Sequence, residues 1–404
     1  MILPSLRTDL DFTISSIPEQ PGLLIRDSFR YSDHVLVIPP PLVRFLAFFN
    51  GTHTDSDLRE ELAASLNVEQ TKAVAENLVQ ALGDAGFLTD ETYAKLKEAR
   101  HKAFEESPVR EAAFAGSAYP EDAGALRKLI EGYLHSQKPA QTGVIGIAAP
   151  HVSPDGGWQC YSAAYSALTP DLGDRTFVVL GTSHYGQPDK FGLTRKPFKT
   201  PLGTTTTNDT LVTELAIQGA TVMEDYCHAV EHSIEFQVIF LQALYGPDVC
   251  VLPILCGSFG KHIGAGASPE DDQGVKGFLE ALAKIAEREK QHLIWILGVD
   301  MAHMGARYGD DFNSHADQAE MTDVRARDHL RIERVLASDA GGFWHLVQET
   351  RDDDDLKWCG SSAFYSFLKA VPQARGTLRH YEQWNIDEQS VVTFAGISFT
   401  DKTL

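Results

Sequence analysis

A chain of 404 residues exceeds what one hydrophobic core comfortably organises, so two domains are expected. With 35 basic against 56 acidic residues and no long basic run, a net charge of -21 repels phosphate backbones and anionic membranes, which argues against nucleic acid or membrane as a partner. Five cysteines without a CxxC motif point to reduced thiols in the cytoplasm, and neither a signal peptide nor a spanning apolar run is expected from the residues present.

Residues 1–90 read as a small α+β domain. LLIRD (23–27) and HVLVIPP (34–40) have strand character, and PPLVRFLAFFN has helical spacing that stops at Asn50-Gly51. Thr54 is placed to cap DSDLREELAASL, and VEQTKAVAENLVQALGDAGFL supplies a third helix, so the order suggests a winged-helix-like fold. Residues 91–107 carry opposite charges at i,i+4 and little apolar face, the pattern of an exposed linker helix.

From 108 to 404 the chain alternates strands and helices. Buried strands are expected at 144–149, 176–181, 249–255 and 292–299, with helices at 158–167, 208–218, 231–244, 273–288 and 317–337. GTLRHYEQWN and SVVTFAGISF read as two further strands, antiparallel to each other. This pattern predicts an α/β sheet layered by helices. The acidic run Asp352–Asp355 reads as a solvated loop.

Chemistry-bearing residues collect where apolar runs end. His151 follows VIGIAAP, His184 follows TFVVLGTS, and Asp300 with His303 follows HLIWILGV. The carboxyl ends of such strands are where open α/β sheets place ligands. Cys359 precedes the predicted helix GSSAFYSFLKAV, whose unpaired amides favour a thiolate. Imidazole and thiolate hold transition metals at neutral pH, and a thiolate beside a histidine base is equally a nucleophile. Asp300 is placed to accept from His303, and Glu231 and His232 open the predicted helix EHSIEFQVIFLQAL with Glu235 one turn on to orient His232. Against these readings stand plainer ones: a loop histidine bonding carbonyls, a small buried cysteine, and a capped amphipathic helix.

The ordered series AGSAYP, AAPHVSPDGG, LGTSHYG, EHSIEFQ, LPILCG, GVDMAHMG, CGSSAF and YEQW with SVVTFAGISF resembles the Memo family from about residue 110 to 400. Bacterial and archaeal members are called AmmeMemoRadiSam system protein B. The resemblance implies a sheet similar to LigB-type extradiol dioxygenases, which are non-heme iron enzymes. It places a metal triad on His151, His184 and Cys359, and neighbouring catalytic residues on His232, Asp300 and His303. It implies Fe(II), with copper as the alternative because thiolate is soft. Two departures, Ser153-Pro154-Asp155-Gly156-Gly157 and Tyr119 beside Ala118, fall at the expected cleft mouth. The N-terminal segment is similar to PqqD-type winged-helix modules that grip peptides. Its 17 acidic and 10 basic residues over 1–107 favour a peptide or protein partner over DNA. The function implied is a metal-dependent redox enzyme of unknown substrate in a radical-SAM-associated modification system. The alternatives are a peptide-binding adaptor and a metal-free enzyme with Cys359 as nucleophile.

Overall fold

The computed structural model describes the chain except for residues 16, 18, 65, 66, 135–141, 350–355 and 403–404; the run Asp352–Asp355 lies outside the described residues. Two compact units divide between Ser107 and Pro108. Among the described residues, no helix is long and apolar enough to cross a membrane.

In the first unit, β1 (Leu10–Ile14), β2 (Leu23–Asp27) and β3 (Val35–Ile38) form an antiparallel sheet in that order. The first strand was not anticipated. Its middle is open to solvent, so it lacks an apolar run, and pairing with β2 is what makes it a strand. PPLVRFLAFFN splits into a single turn, Pro40–Val43, and a 3₁₀ segment, Arg44–Phe48. Thr54 caps Asp55–Ala63 in a reciprocal box with Asp57, and Asn67 does the same for Val68–Asp84 with Gln70. The core gathers Ile25, Phe45, Leu58, Leu82 and Phe87. The helix Glu91–Glu106, expected as a linker, clusters with this unit: its Tyr93 ring lies 4.2 Å from the guanidinium of buried Arg7, which also pairs with Asp27 through two 2.9 Å bonds.

The second unit is built on a ten-stranded mixed sheet. In chain order its strands begin with β4 (Val144–Ala149), β5 (Thr176–Thr182) and β6 (Phe191–Leu193). A separate ribbon of β7 (Lys199–Thr200) and β8 (Gly203–Thr204) follows. The sheet resumes with β9 (Thr206–Thr207), β10 (Thr221–Met223), β11 (Cys250–Cys256) and β12 (Leu293–Gly298). It ends with β13 (His303–Gly305), β14 (Ala374–Asp387) and β15 (Ser390–Asp401). The spatial order is β10-β6-β11-β5-β12-β4-β15-β13, with β14 also on β15 and β9 on β11. The four strands expected from apolar runs are the parallel centre β11-β5-β12-β4, and the two terminal ones form the antiparallel hairpin β14-β15. The short strands β6, β10 and β13 were not foreseen because three residues carry no period.

Side-chain alternation sorts the helices onto the two faces. Val178, Leu180, Leu252, Ile254, Trp295 and Leu297 join a core with residues of Gln273–Arg288, Glu320–Ala337, Ala340–Gln348 and Ser361–Ala370. On the other face lie Trp158–Tyr165 and Glu235–Tyr245, where Tyr161 and Tyr165 stack on Phe240 at 4.5 and 4.9 Å between ring centres. The second of these helices starts four residues later than expected. His232 therefore precedes the helix rather than opening it.

Candidate metal centre

Three neighbouring parallel strands deliver their next residues to one place. His184 follows β5, Asp300 follows β12, and His151 follows β4 across β12 from it. His303 begins β13, and Cys359 comes just before the helix Ser361–Ala370. His232 arrives from the far side because Gly181 and Gly298 stand opposite each other in register. A Cβ at Gly298 would lie 2.2 Å from the Ser233 carbonyl oxygen, and one at Gly181 2.6 Å from Ser233 Oγ. The two bare positions let residues 231–234 lie directly on the strand ends.

The imidazoles of His151, His184 and His232 stand 5.0–5.2 Å apart between ring centres, with His184 and His232 stacked and His151 edge-on to both. One nitrogen from each falls in a cluster whose atoms all lie within 4.8 Å. His151 is buried, whereas 28 % of the His184 side chain and 24 % of the His232 side chain remain accessible. A cavity of about 310 Å³, lined in part by Ser183, His184, Lys357, Trp358 and Cys359, adjoins the cluster.

Each ring is tied at Nδ1. His151 Nδ1 donates to the Gly298 carbonyl at 3.0 Å, since a carbonyl can only accept, which leaves Nε2 as the atom that faces the cleft. That Nε2 lies 3.4 Å from Cys359 Sγ and 3.3 Å from Asp300 Oδ2. A thiolate and a carboxylate on either side of one ring nitrogen call for a proton or a cation there. This is the observation by which the donor set fits a metal ion.

Glu231, fully buried, holds the other two rings. Its carboxylate takes His184 Nδ1 at 3.0 and 3.1 Å and His232 Nδ1 at 3.1 Å, together with the backbone N–H groups of His184 and His232 at 2.9 Å each. Burial alone would raise this carboxyl, but the two imidazoles outweigh it and hold it well below the usual carboxylate range. Burial likewise disfavours charge on His184, and Glu231 and Cys359 outweigh it to raise the ring well above its ordinary value. The Cys359 thiol is pushed up by burial yet held well below the ordinary thiol range by His151 and His303. His303, disfavoured as a cation by burial, is raised chiefly by the Cys359 charge.

A family model described as Memo-like protein matches residues 110–398, starting just beyond the boundary between the two units. The chain belongs to the Memo family. A MEMO1 family protein of Aquifex aeolicus is 28 % identical over 389 residues, covering 93 % of this chain and 95 % of the relative. One from Ignicoccus hospitalis is 33 % identical over 314 residues, covering 72 % and 98 %, and one from Methanopyrus kandleri 28 % over 308 residues, covering 72 % and 98 %.

In this Memo chain the six residues singled out in sequence meet in one cleft, but two expected pairings are replaced. Asp300 does not accept from His303. Its Oδ1 takes the His151 backbone N–H at 2.9 Å, and His303 Nδ1 instead donates to the Met301 carbonyl at 2.9 Å, because the turn between them aims the ring back along its own backbone. Glu235 does not orient His232. It faces the other way, bound by Arg110 and the Tyr119 hydroxyl and by the backbone N–H groups of Ala113 and Phe114 at 3.0 Å. Tyr119, expected at the cleft mouth, is buried in that network. Sequence reasoning missed the role of Glu231. The available signal was its position immediately before His232: a carboxylate at the end of a loop can reach the histidines on both sides of it.

Proposed function

We propose that this Memo family member is a metal-dependent redox enzyme of the oxygenase type, with iron(II) as its ion and copper as the alternative. His151, His184 and Cys359 would hold the ion. The observation that carries this reading is the crowding of His151 Nε2, Cys359 Sγ and Asp300 Oδ2, together with the ring of His184 whose Nδ1 is fixed on Glu231. When bound, such an ion supplies redox chemistry that side chains lack. A site made of two imidazoles and one thiolate suits iron, copper or zinc better than magnesium or calcium.

The chain's own residues would bind substrate and move protons. His232, fixed through Nδ1 on Glu231 and walled by the rings of Phe114 and Phe236 at 5.6 and 5.4 Å, would exchange a proton at Nε2. His303, tied by Nδ1 to Met301, would do the same beside Cys359, and Asp300 would hold the His151 backbone in place. The substrate would be a small molecule or a peptide segment that fits the cavity beside Cys359.

The motif resemblance supports placing the reaction in a radical-SAM-associated modification system, AmmeMemoRadiSam, in the cytoplasm where five free cysteines stay reduced. The first unit would be a PqqD-like winged-helix module that grips a peptide partner. Its support is the capped helix pair Asp55–Ala63 and Val68–Asp84 following a small sheet, and the acidic balance, and its failure to bind any peptide would leave the metal reading untouched.

Elemental analysis of anaerobically purified protein tests the proposal. Stoichiometric iron or copper that is lost in Cys359→Ala and His151→Ala is expected; full metal content in either variant, or no transition metal in the parent, would overturn it. His303→Ala should keep the metal, and losing it would make His303 a ligand.

A further inference from the structure

A second cluster of metal-binding side chains shares no residue with the centre. Cys160, His380 and Glu382 each offer one donor atom, and the three atoms lie within 4.8 Å of one another. The sequence builds this cluster in two steps. His380 and Glu382 are two apart on β14, so they point to the same face, opposite Gly396 and Phe394 of β15. The alternate residues Tyr381 and Gln383 turn to the other face, where they bond Asp328 and the Met321 carbonyl. Gly396 then lets the helix Trp158–Tyr165 come down onto the sheet, since a Cβ there would lie 2.6 Å from the Cys160 carbonyl oxygen. This close approach brings the buried Cys160 thiol over the strand, with Sγ 3.8 Å from the Phe394 carbonyl oxygen.

Glu382 gives the second observation. Its Oε2 is buried and has no hydrogen-bond partner; His380 Nε2, at 3.8 Å, is beyond hydrogen-bond reach. A buried carboxylate oxygen left without a donor is costly, so it calls for a cation or a proton. The rest of the donor set chooses between them. A thiol, an imidazole and a carboxylate are the three side chains zinc takes, and the half-exposed His380, with 44 % of its side chain accessible, leaves an entry path.

We propose that Cys160, His380 and Glu382 form a second metal site, for a divalent ion of the zinc type, that pins the helix Trp158–Tyr165 to β14. Ligand bonds of about 2.0–2.3 Å at tetrahedral angles put donors about 3.5 Å apart. The donors already lie within 4.8 Å of one another, so closing needs at most about 1.3 Å of movement, which rotamer changes at His380 and Glu382 supply. Binding releases the Cys160 proton, and a water fills the fourth position.

The test must separate this site from the centre that holds Cys359. Metal-free full-length Cys359→Ser protein is titrated with Co²⁺, and the sulfur-to-cobalt charge-transfer absorption is followed, with Zn²⁺ as competitor. The band should appear in Cys359→Ser, be displaced by zinc, and fall by more than about 100-fold in affinity in Cys359→Ser/His380→Ala, beyond what an outer-shell partner controls. Absence of the band in Cys359→Ser overturns the proposal, and so does a band that His380→Ala or Glu382→Gln leaves unchanged. Because His380 is half-exposed, the metal-free double variant should unfold at the same temperature as its parent. Zinc should raise that temperature further when His380 is present than when it is replaced.

Discussion

Two buried carboxylates four residues apart, Glu231 and Glu235, do opposite things. Both are wholly shielded from solvent, and both collect several donors. Glu235 is saturated by Arg110, Tyr119 and two backbone amides, and Arg110 gives its remaining donors to the carbonyls of Glu111, His228 and Glu231. Its network is structural: it ties the segment after residue 108 to the helix Glu235–Tyr245 and to the backbone of residues 228–231. Glu231 spends its oxygens on two imidazoles whose far nitrogens remain turned to the cleft. The difference shows that burial and charge do not mark a functional group. What marks it is whether its partners still have an atom to offer.

Substitutions should separate the two roles, and the largest effect should come from the structural network. Glu235→Ala leaves the buried Arg110 charge with carbonyl acceptors but no carboxylate and should cost about 3–5 kcal/mol of unfolding free energy, measured by urea denaturation. A loss below about 1 kcal/mol would mean the pair is idle. Glu231→Gln should act on the site, lowering metal affinity by about 10–100-fold in a competitive chelator titration. If its main effect were instead on stability, with affinity unchanged, the contrast between the two carboxylates would fail.

Tyr119→Phe removes one bond to a charged acceptor and should cost about 1.5 kcal/mol. It also carries a pH signature. Burial and the neighbouring Glu235 charge raise the Tyr119 pKa, so the fold favours the neutral phenol. That contribution is constant below about pH 10, the ordinary tyrosine value, and is lost as pH rises further, by about 1.4 kcal/mol per pH unit. Alkaline denaturation curves of the Phe variant should therefore be shallower than the parent's by one proton. The smallest effect is expected at the cap of the first unit: Thr54→Ala should cost about 1 kcal/mol and leave metal affinity unaltered, as a control.

Much of this was legible along the chain. The four apolar runs became the parallel centre of the sheet because a strand buried on both faces must be apolar throughout. The histidines at their ends were conspicuous for the same reason: a polar residue directly after such a run has left the core. The capping boxes at Thr54 and Asn67 are local, settled within four residues. The strands β1, β6, β10 and β13 were illegible because each is a strand only through a neighbour that pairs with it.

The residues by themselves determined the α/β class and the histidines at its strand ends, because hydrophobic period and strand ends are local properties, and the ordered motifs carried the family and the place of Cys359 beside them. Which carboxylate serves which ring was decided only by the tertiary structure. Asp300 turned to His151 rather than His303, and Glu231 rather than Glu235 took His232, because hydrogen bonds are settled by direction across 3 Å of space and not by distance along the chain.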